Sequence, residues 1–85
     1  GDYELGVQLF EERKYEEAIQ YFSLSISKGQ RIVDAYFYWG RCLQESQNNS
    51  SALEKFKVAV QLDPNHFIGN FACGNTLVNL GRYEE

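Results

Sequence analysis

The sequence predicts an all-α fold, a stack of antiparallel helix pairs, and three observations predict it. Apolar residues recur at i, i+3, i+4 and i+7, no long stretch alternates with period two, and a single proline, Pro64, interrupts the chain. A block of small and apolar residues also returns every 34 residues. Leu5-Gly6 comes back as Trp39-Gly40 and Cys73-Gly74, each followed by Leu9, Leu43 or Leu77. Ala18-x-x-x-Phe22 comes back as Ala52-x-x-x-Phe56, and Tyr15-Glu16-Glu17 comes back two periods on as Tyr83-Glu84-Glu85. A period of this length marks an array of helical pairs, in which each unit buries its apolar side against the next.

The pattern places the first helix at Asp2–Glu12, the second at Tyr15–Lys28 and the third at about Val33–Ser46. The fourth follows at Asn49–Leu62 and the fifth at His66–Leu80, with a sixth barely begun. Gly29, the Gln47-Asn48 turn, Asp63-Pro64-Asn65 and Gly81 punctuate them as helix ends and caps do. Such short connections make neighbouring helices antiparallel. Small residues let helix axes approach, so Gly6 is expected to meet Ala18, and Gly40 to meet Ala52. Leu5, Leu9 and Phe22 fill the layer beside the first notch, and Tyr36, Trp39, Leu43 and Phe56 the layer beside the second. On that reading Trp39→Ala costs about 3–5 kcal/mol.

Length and charge bound the function. Eighty-five residues make one small domain. A formal charge of −4 lacks the positive footprint that nucleic acid or an anionic membrane surface requires. No apolar run reaches the roughly 20 residues of a membrane span. The start Gly1-Asp2-Tyr3-Glu4 lacks the basic-then-apolar layout of a signal peptide, so an intracellular, cytoplasmic protein is expected. Cys42 and Cys73 fall inside helical apolar patterns and read as small core residues.

Catalytic chemistry has little to work with, and no enzyme and no cofactor are expected. His66, the single histidine, follows Asp63-Pro64-Asn65 and reads as a helix-start residue. Cys42, Cys73 and His66 show no zinc-type spacing, so no metal is expected. Gly69-x-x-x-x-Gly74-Asn75-Thr76 resembles a phosphate loop but lacks its lysine, and the repeat already explains Gly74. The adjacent pairs Glu11-Glu12, Glu16-Glu17 and Glu84-Glu85 point about 100° apart on a helix and read as solvated turns and helix starts.

The period, the Gly after a large residue in each first helix, the Ala-x-x-x-Phe in each second helix, and the closing Leu62-Asp63-Pro64-Asn65 together resemble tetratricopeptide repeats. The resemblance covers essentially the whole chain. It implies a right-handed α-solenoid of about two and a half repeats in a single domain, residues 1–85. The first repeat spans residues 1–32 and is incomplete at its start, the second spans 33–66, and the third, 67–85, is truncated. The chain departs from the pattern at Gln30, where the second unit has Pro64, and at Ser25, where it has Ala59. Asp2 and Asn70 stand where an aromatic often precedes the Leu-Gly pair.

Both ends read as cut from a longer protein. The last helix, without its partner, is expected to leave Cys73, Leu77 and Leu80 poorly covered and to self-associate through them. The aromatics Tyr3, Phe37 and Phe71 stand 34 residues apart. Their stripe continues as Val7 and Phe10, Arg41 and Gln44, and Asn75 and Val78. The resemblance implies that these nine residues line a concave groove which holds a protein or peptide partner. The competing reading packs the aromatic row between repeats, out of a ligand's reach.

Relatives that clamp acidic chaperone tails use Lys, Asn and Arg where this chain has Tyr3, Val7, Tyr38, Ile68 and Ala72. The asparagine ladder of sugar-transferase repeats is replaced by Glu4, Tyr38 and Ala72. The expected role is therefore a protein-interaction scaffold that binds a largely apolar partner segment, with an acidic group for Arg41. The alternative is a structural spacer whose groove is filled by its own parent chain.

Overall fold

In the computed structural model, which describes residues 1–81, five α-helices follow one another: α1 (Asp2–Glu11), α2 (Tyr15–Ser27), α3 (Ile32–Glu45), α4 (Asn49–Leu62) and α5 (Phe67–Asn79). Each lies within a residue or so of its expected bounds, as fraying ends allow. Residues 82–85, including the second Tyr-Glu-Glu and the expected beginning of a sixth helix, lie outside the described residues.

The turns that separate the helices carry left-handed residues. Arg13, Gln47, Gly29 and Gly81 have φ of 65°, 67°, 71° and 72°, and Arg31 at the head of α3 has 49°. Each helix packs on its sequence neighbour, and α3 also reaches α1, which gives a slab of 40 × 25 × 16 Å. All-α helical repeat is the resulting architecture.

Packing repeats with the sequence, but the partner of each notch differs from expectation. A Cβ placed on Gly6 would stand 2.6 Å from the Phe22 ring, and one on Gly40 would stand 2.5 Å from the Phe56 ring. The aromatic of Ala-x-x-x-Phe, rather than its alanine, is therefore the nearest neighbour of each glycine. Real Cβ atoms do not approach so closely, so glycine is required for both rings to seat. Ala18, Phe22, Ala52 and Phe56 are all fully buried. Leu5, expected in the layer beside Gly6, is 44% exposed instead.

Trp39 is half-buried and stacks on Tyr36 (6.2 Å, 4°), with the Lys55 ammonium 4.0 Å above its ring. Its truncation therefore removes less buried surface than a core tryptophan would.

The departures of the first unit prove to be one device. Ser25 is fully buried and its hydroxyl donates to the carbonyl of Gln30, across the turn where the second unit has Ala59 and Pro64. Asp2, at the place of the missing aromatic, pairs with Lys28 at 2.7 Å and ties the two ends of the first pair together. His66 takes the helix-start role: its Nδ1 accepts the Gly69 backbone N–H at 2.8 Å. No helix among the described residues is long and apolar enough to cross a membrane.

Candidate functional site

Between α3 and α5 lies a cleft of ≈ 290 Å³, and the repeat explains its composition. The same helix face of two successive units supplies both walls. Phe37, Tyr38, Arg41 and Gln44 come from α3, and Ile68, Phe71, Ala72 and Asn75 from α5. Its floor is core. Phe37 is 9% exposed and packs on Phe56 (5.6 Å), Tyr38 (5.7 Å) and His66 (5.4 Å). Gln44 donates from Nε2 to the buried Thr76 hydroxyl at 3.2 Å, which fixes one wall against the other.

The α5 wall is open and apolar, with Ile68 58% and Phe71 69% exposed. Opposite it, the Arg41 guanidinium lies over Phe10 (4.7 Å), Tyr38 (5.5 Å) and Phe37 (5.9 Å). None of the ion pairs among the described residues involves Arg41. Aromatic faces hold the cation in place without neutralising it, and so leave its donors for an anion.

The nine residues expected to line one groove divide. Phe37, Arg41, Gln44, Phe71 and Asn75 meet in the cleft. Tyr3, Val7 and Phe10 instead pack half-buried on the cluster of Ala18, Phe22, Ala35 and Cys42. Tyr3 is held there by Phe22 (6.0 Å), Tyr38 (6.0 Å) and the Arg31 guanidinium (4.3 Å). Burial is also the first cause of the rise in its phenol pKa. Val78 is 55% exposed and lies outside the cleft. For Tyr3 and Phe37, then, the aromatic row packs between helices, because each ring abuts the Phe that fills the neighbouring notch. Only Phe71 of the row is open.

Tyr38 and Ile68 are cleft residues that the groove reading left out. Tyr38 stacks on Phe22 (5.5 Å, 23°) and meets Tyr3, Phe10 and Phe37 edge-on, joining the two core clusters. The available signal was its row: Glu4, Tyr38 and Ala72 are one residue past the aromatic row, on the side facing the preceding unit. Cys73, Leu77 and Leu80, expected to be poorly covered, are each half-buried, and Cys73 packs on the Phe37–Phe56 cluster. The open side of α5 is instead Phe67 (81% exposed), Phe71, Gly74 and Val78.

A second hollow, ≈ 410 Å³, lies at the α1–α2 turn among Arg13, Lys14, Glu16 and Glu17. Tyr15 and Ser46 complete its lining, and Lys14 pairs beside it with Glu12. No group of three or more His, Cys, Asp or Glu residues that would suit a metal occurs among the described residues. Cys42 is buried and its thiol is pushed up to about 12, by burial above all, which makes it inert as a nucleophile.

Comparison with known proteins agrees with the helical-repeat fold. No curated protein matches the chain. Among solved structures, a MamA mutant superposes with a TM-score of 0.84 over 98% of this chain at 23% identity. The chain spans 46% of that protein's length, and the likeness is one of fold. Residues 33–66, the unit that carries the fullest motif, match the tetratricopeptide repeat family model. Repeats of this kind generally mediate protein–protein interaction. Residues 33–66 thus match a tetratricopeptide repeat, set in a tandem helical-repeat fold.

Proposed function

We propose that this chain is a protein-interaction module whose α3–α5 cleft holds a short partner segment, one bulky apolar side chain beside one carboxylate. The observation that carries this reading is Arg41. It is an arginine stacked on three rings, without an acidic partner among the described residues, facing the exposed Ile68 and Phe71 across the cleft. An apolar side chain removes the two exposed walls from water, at about 25 cal/mol per Å². A carboxylate on Arg41 fixes direction and register, and is favoured because the rings beneath the guanidinium already exclude water from one face. The reading is one of binding.

The chain's net charge of −4 makes the positive end of the cleft a local exception, so recognition is expected to weaken with salt. A random-peptide display selection tests the reading. Selected sequences are expected to combine a large apolar residue with Asp, Glu or a free C-terminus. Arg41→Glu is expected to weaken their binding by at least about tenfold, and Ile68→Asp by as much. Selection of peptides without acidic residues, or affinities indifferent to Arg41→Glu, overturns it.

A further inference from the structure

His66 does more than start α5, because its ring stands where the floor of the cleft meets the open wall. Nδ1 accepts the Gly69 backbone N–H at 2.8 Å, and among the five described helices α5 alone begins on a side-chain cap. A Cβ on Gly69 would collide with that same nitrogen, so glycine is required for the ring to seat. The ring also packs on Phe37, 5.4 Å between centroids, which is the cleft floor, while Gly69 lies between Ile68 and Phe71 of the wall. One imidazole therefore fastens wall to floor.

A backbone amide can only donate, so Nδ1 holds a free lone pair and the proton of the neutral ring sits on Nε2. Nε2 faces Asp34 Oδ1 at 3.9 Å, too long for a hydrogen bond but within ion-pair range. A second proton, taken from water, can bond only to Nδ1, where it sets one N–H against another. The cap is then lost, and a positive charge stands at the positive end of the helix dipole. α5 itself, Phe67–Asn79, carries no charged residue to offset it. From α3 the ring is faced by Asp34, whose other oxygen receives Arg31 at 2.7 Å, and on the preceding turn the Asp63 carboxylate accepts the Asn65 N–H at 3.2 Å. A charged ring thus loses its place on α5 and gains one beside Asp34. The backbone is held independently: the His66 N–H donates to the Asp63 carbonyl at 3.0 Å, and the His66 carbonyl accepts from the Asn70 N–H at 2.9 Å and Nδ2 at 3.0 Å. The ring can therefore turn about its side-chain bonds without unwinding the helix.

We propose that His66 is a pH-sensitive latch: the neutral imidazole holds the first turn of α5 against Phe37, and protonation releases that turn and swings the ring to Asp34. Imidazole is the side chain whose charge ordinarily changes between about pH 5 and 8, a range in which carboxylates ordinarily stay ionised. The cap is thus closed on the alkaline side of the ring's titration and open on the acid side. Release uncouples Ile68 and Phe71 from the floor, so acid loosens the cleft. That consequence for binding rests on the cleft reading, whereas the latch is a property of the free chain.

Nuclear magnetic resonance of the free, isotope-labelled chain from about pH 8 to about pH 5 tests it, with circular dichroism as the check on folding. At the alkaline end the imidazole nitrogens are expected to show the Nε2–H tautomer. As the ring takes up its proton, the Gly69 amide and the Ile68 methyl groups shift with the same midpoint, and the Gly69 amide loses at least about fivefold of its protection from solvent exchange, the worth of one cap. His66→Asn keeps a capping oxygen that does not titrate, and is expected to hold the Gly69 amide constant across the range. Asp34→Asn removes the acceptor of the charged ring and is expected to move the midpoint to more acid pH. None of these readouts involves a ligand or Arg41, so the latch and the cleft reading fail separately. A neutral ring protonated at Nδ1 overturns the proposal, as does a Gly69 amide that keeps its protection while the ring titrates. So does a pH dependence that survives His66→Asn, or a midpoint that Asp34→Asn leaves in place.

Discussion

The pair α3–α4 and the helix α5 carry the same motif in different surroundings. In both, a large-or-apolar residue precedes a glycine, with an aromatic three residues before it: Phe37 and Gly40 in one, Phe71 and Gly74 in the other. In the first the glycine lies under Phe56 and Phe37 is 9% exposed. In the second no described residue lies within 4 Å of the glycine's Cβ position, and Phe71 is 69% exposed. A glycine that is sterically obligatory at one place is thus an empty seat at another. The sequence pattern specifies a seat, and the element packed on it decides whether the seat is core or surface.

The largest test of that contrast is truncation of the rings. Phe56→Ala is expected to cost about 3–5 kcal/mol, because the fully buried ring fills the Gly40 notch and supports Phe37. Phe37→Ala is expected to cost a similar amount. Phe71→Ala, which removes a ring that the helices do not cover, is expected within about 0.5 kcal/mol of the parent in dilute chemical denaturation. Equal losses at Phe37 and Phe71 would break the comparison outright.

Thiol chemistry sharpens it at the next magnitude. Cys42 is fully buried and burial pushes its thiol up to about 12, while Cys73 is half-buried, its thiol raised by burial less completely. Alkylation near pH 8 is expected at Cys73 first, with Cys42 slower by at least about 100-fold because it must await opening of the helices. Cys42 is neutral when folded and its thiol is more acidic when unfolded. Its contribution is therefore complete below about pH 9 and lost as pH rises toward 12, so stability declines across that alkaline range. A Cys42→Ala variant should show a shallower decline.

Much of the fold was legible because each helix is specified twice, once by its own period and once by its copy 34 residues away. Five helices and their ends follow from Gly29, Gly81, Asp63-Pro64 and the spacing of Ala18, Phe22, Ala52 and Phe56. The cleft was half legible. A stripe read along each first helix finds Phe37, Arg41, Gln44, Phe71 and Asn75, but a straight stripe ignores the offset between stacked pairs. That offset turns Tyr3, Val7 and Phe10 into the seam and brings in Tyr38 and Ile68 from the neighbouring row. Burial was the less legible quantity, since the aromatic row Tyr3, Phe37 and Phe71 is uniform in type. Its members differ in exposure because Phe22, Tyr38 and Arg31 cover Tyr3, and Phe56, Tyr38 and His66 cover Phe37.

The smallest test uses one methyl group at two equivalent places. At Gly40 the added Cβ would lie 2.5 Å from the Phe56 ring, whose neighbours are packed and cannot withdraw without opening the core. Gly40→Ala is therefore expected to lose about 1–3 kcal/mol, the cost of overpacking less the gain in helix propensity. At Gly74 the same methyl enters open space in the interior of α5, where alanine restricts the unfolded chain and favours the helix. Gly74→Ala is expected to gain about 0.5–1 kcal/mol in dilute solution. Urea denaturation of the two variants beside the parent reads the pair directly. Opposite signs follow only if one seat is filled and the other empty. A loss at Gly74 as large as that at Gly40 would mean that an element not among residues 1–81 covers α5 in the folded chain.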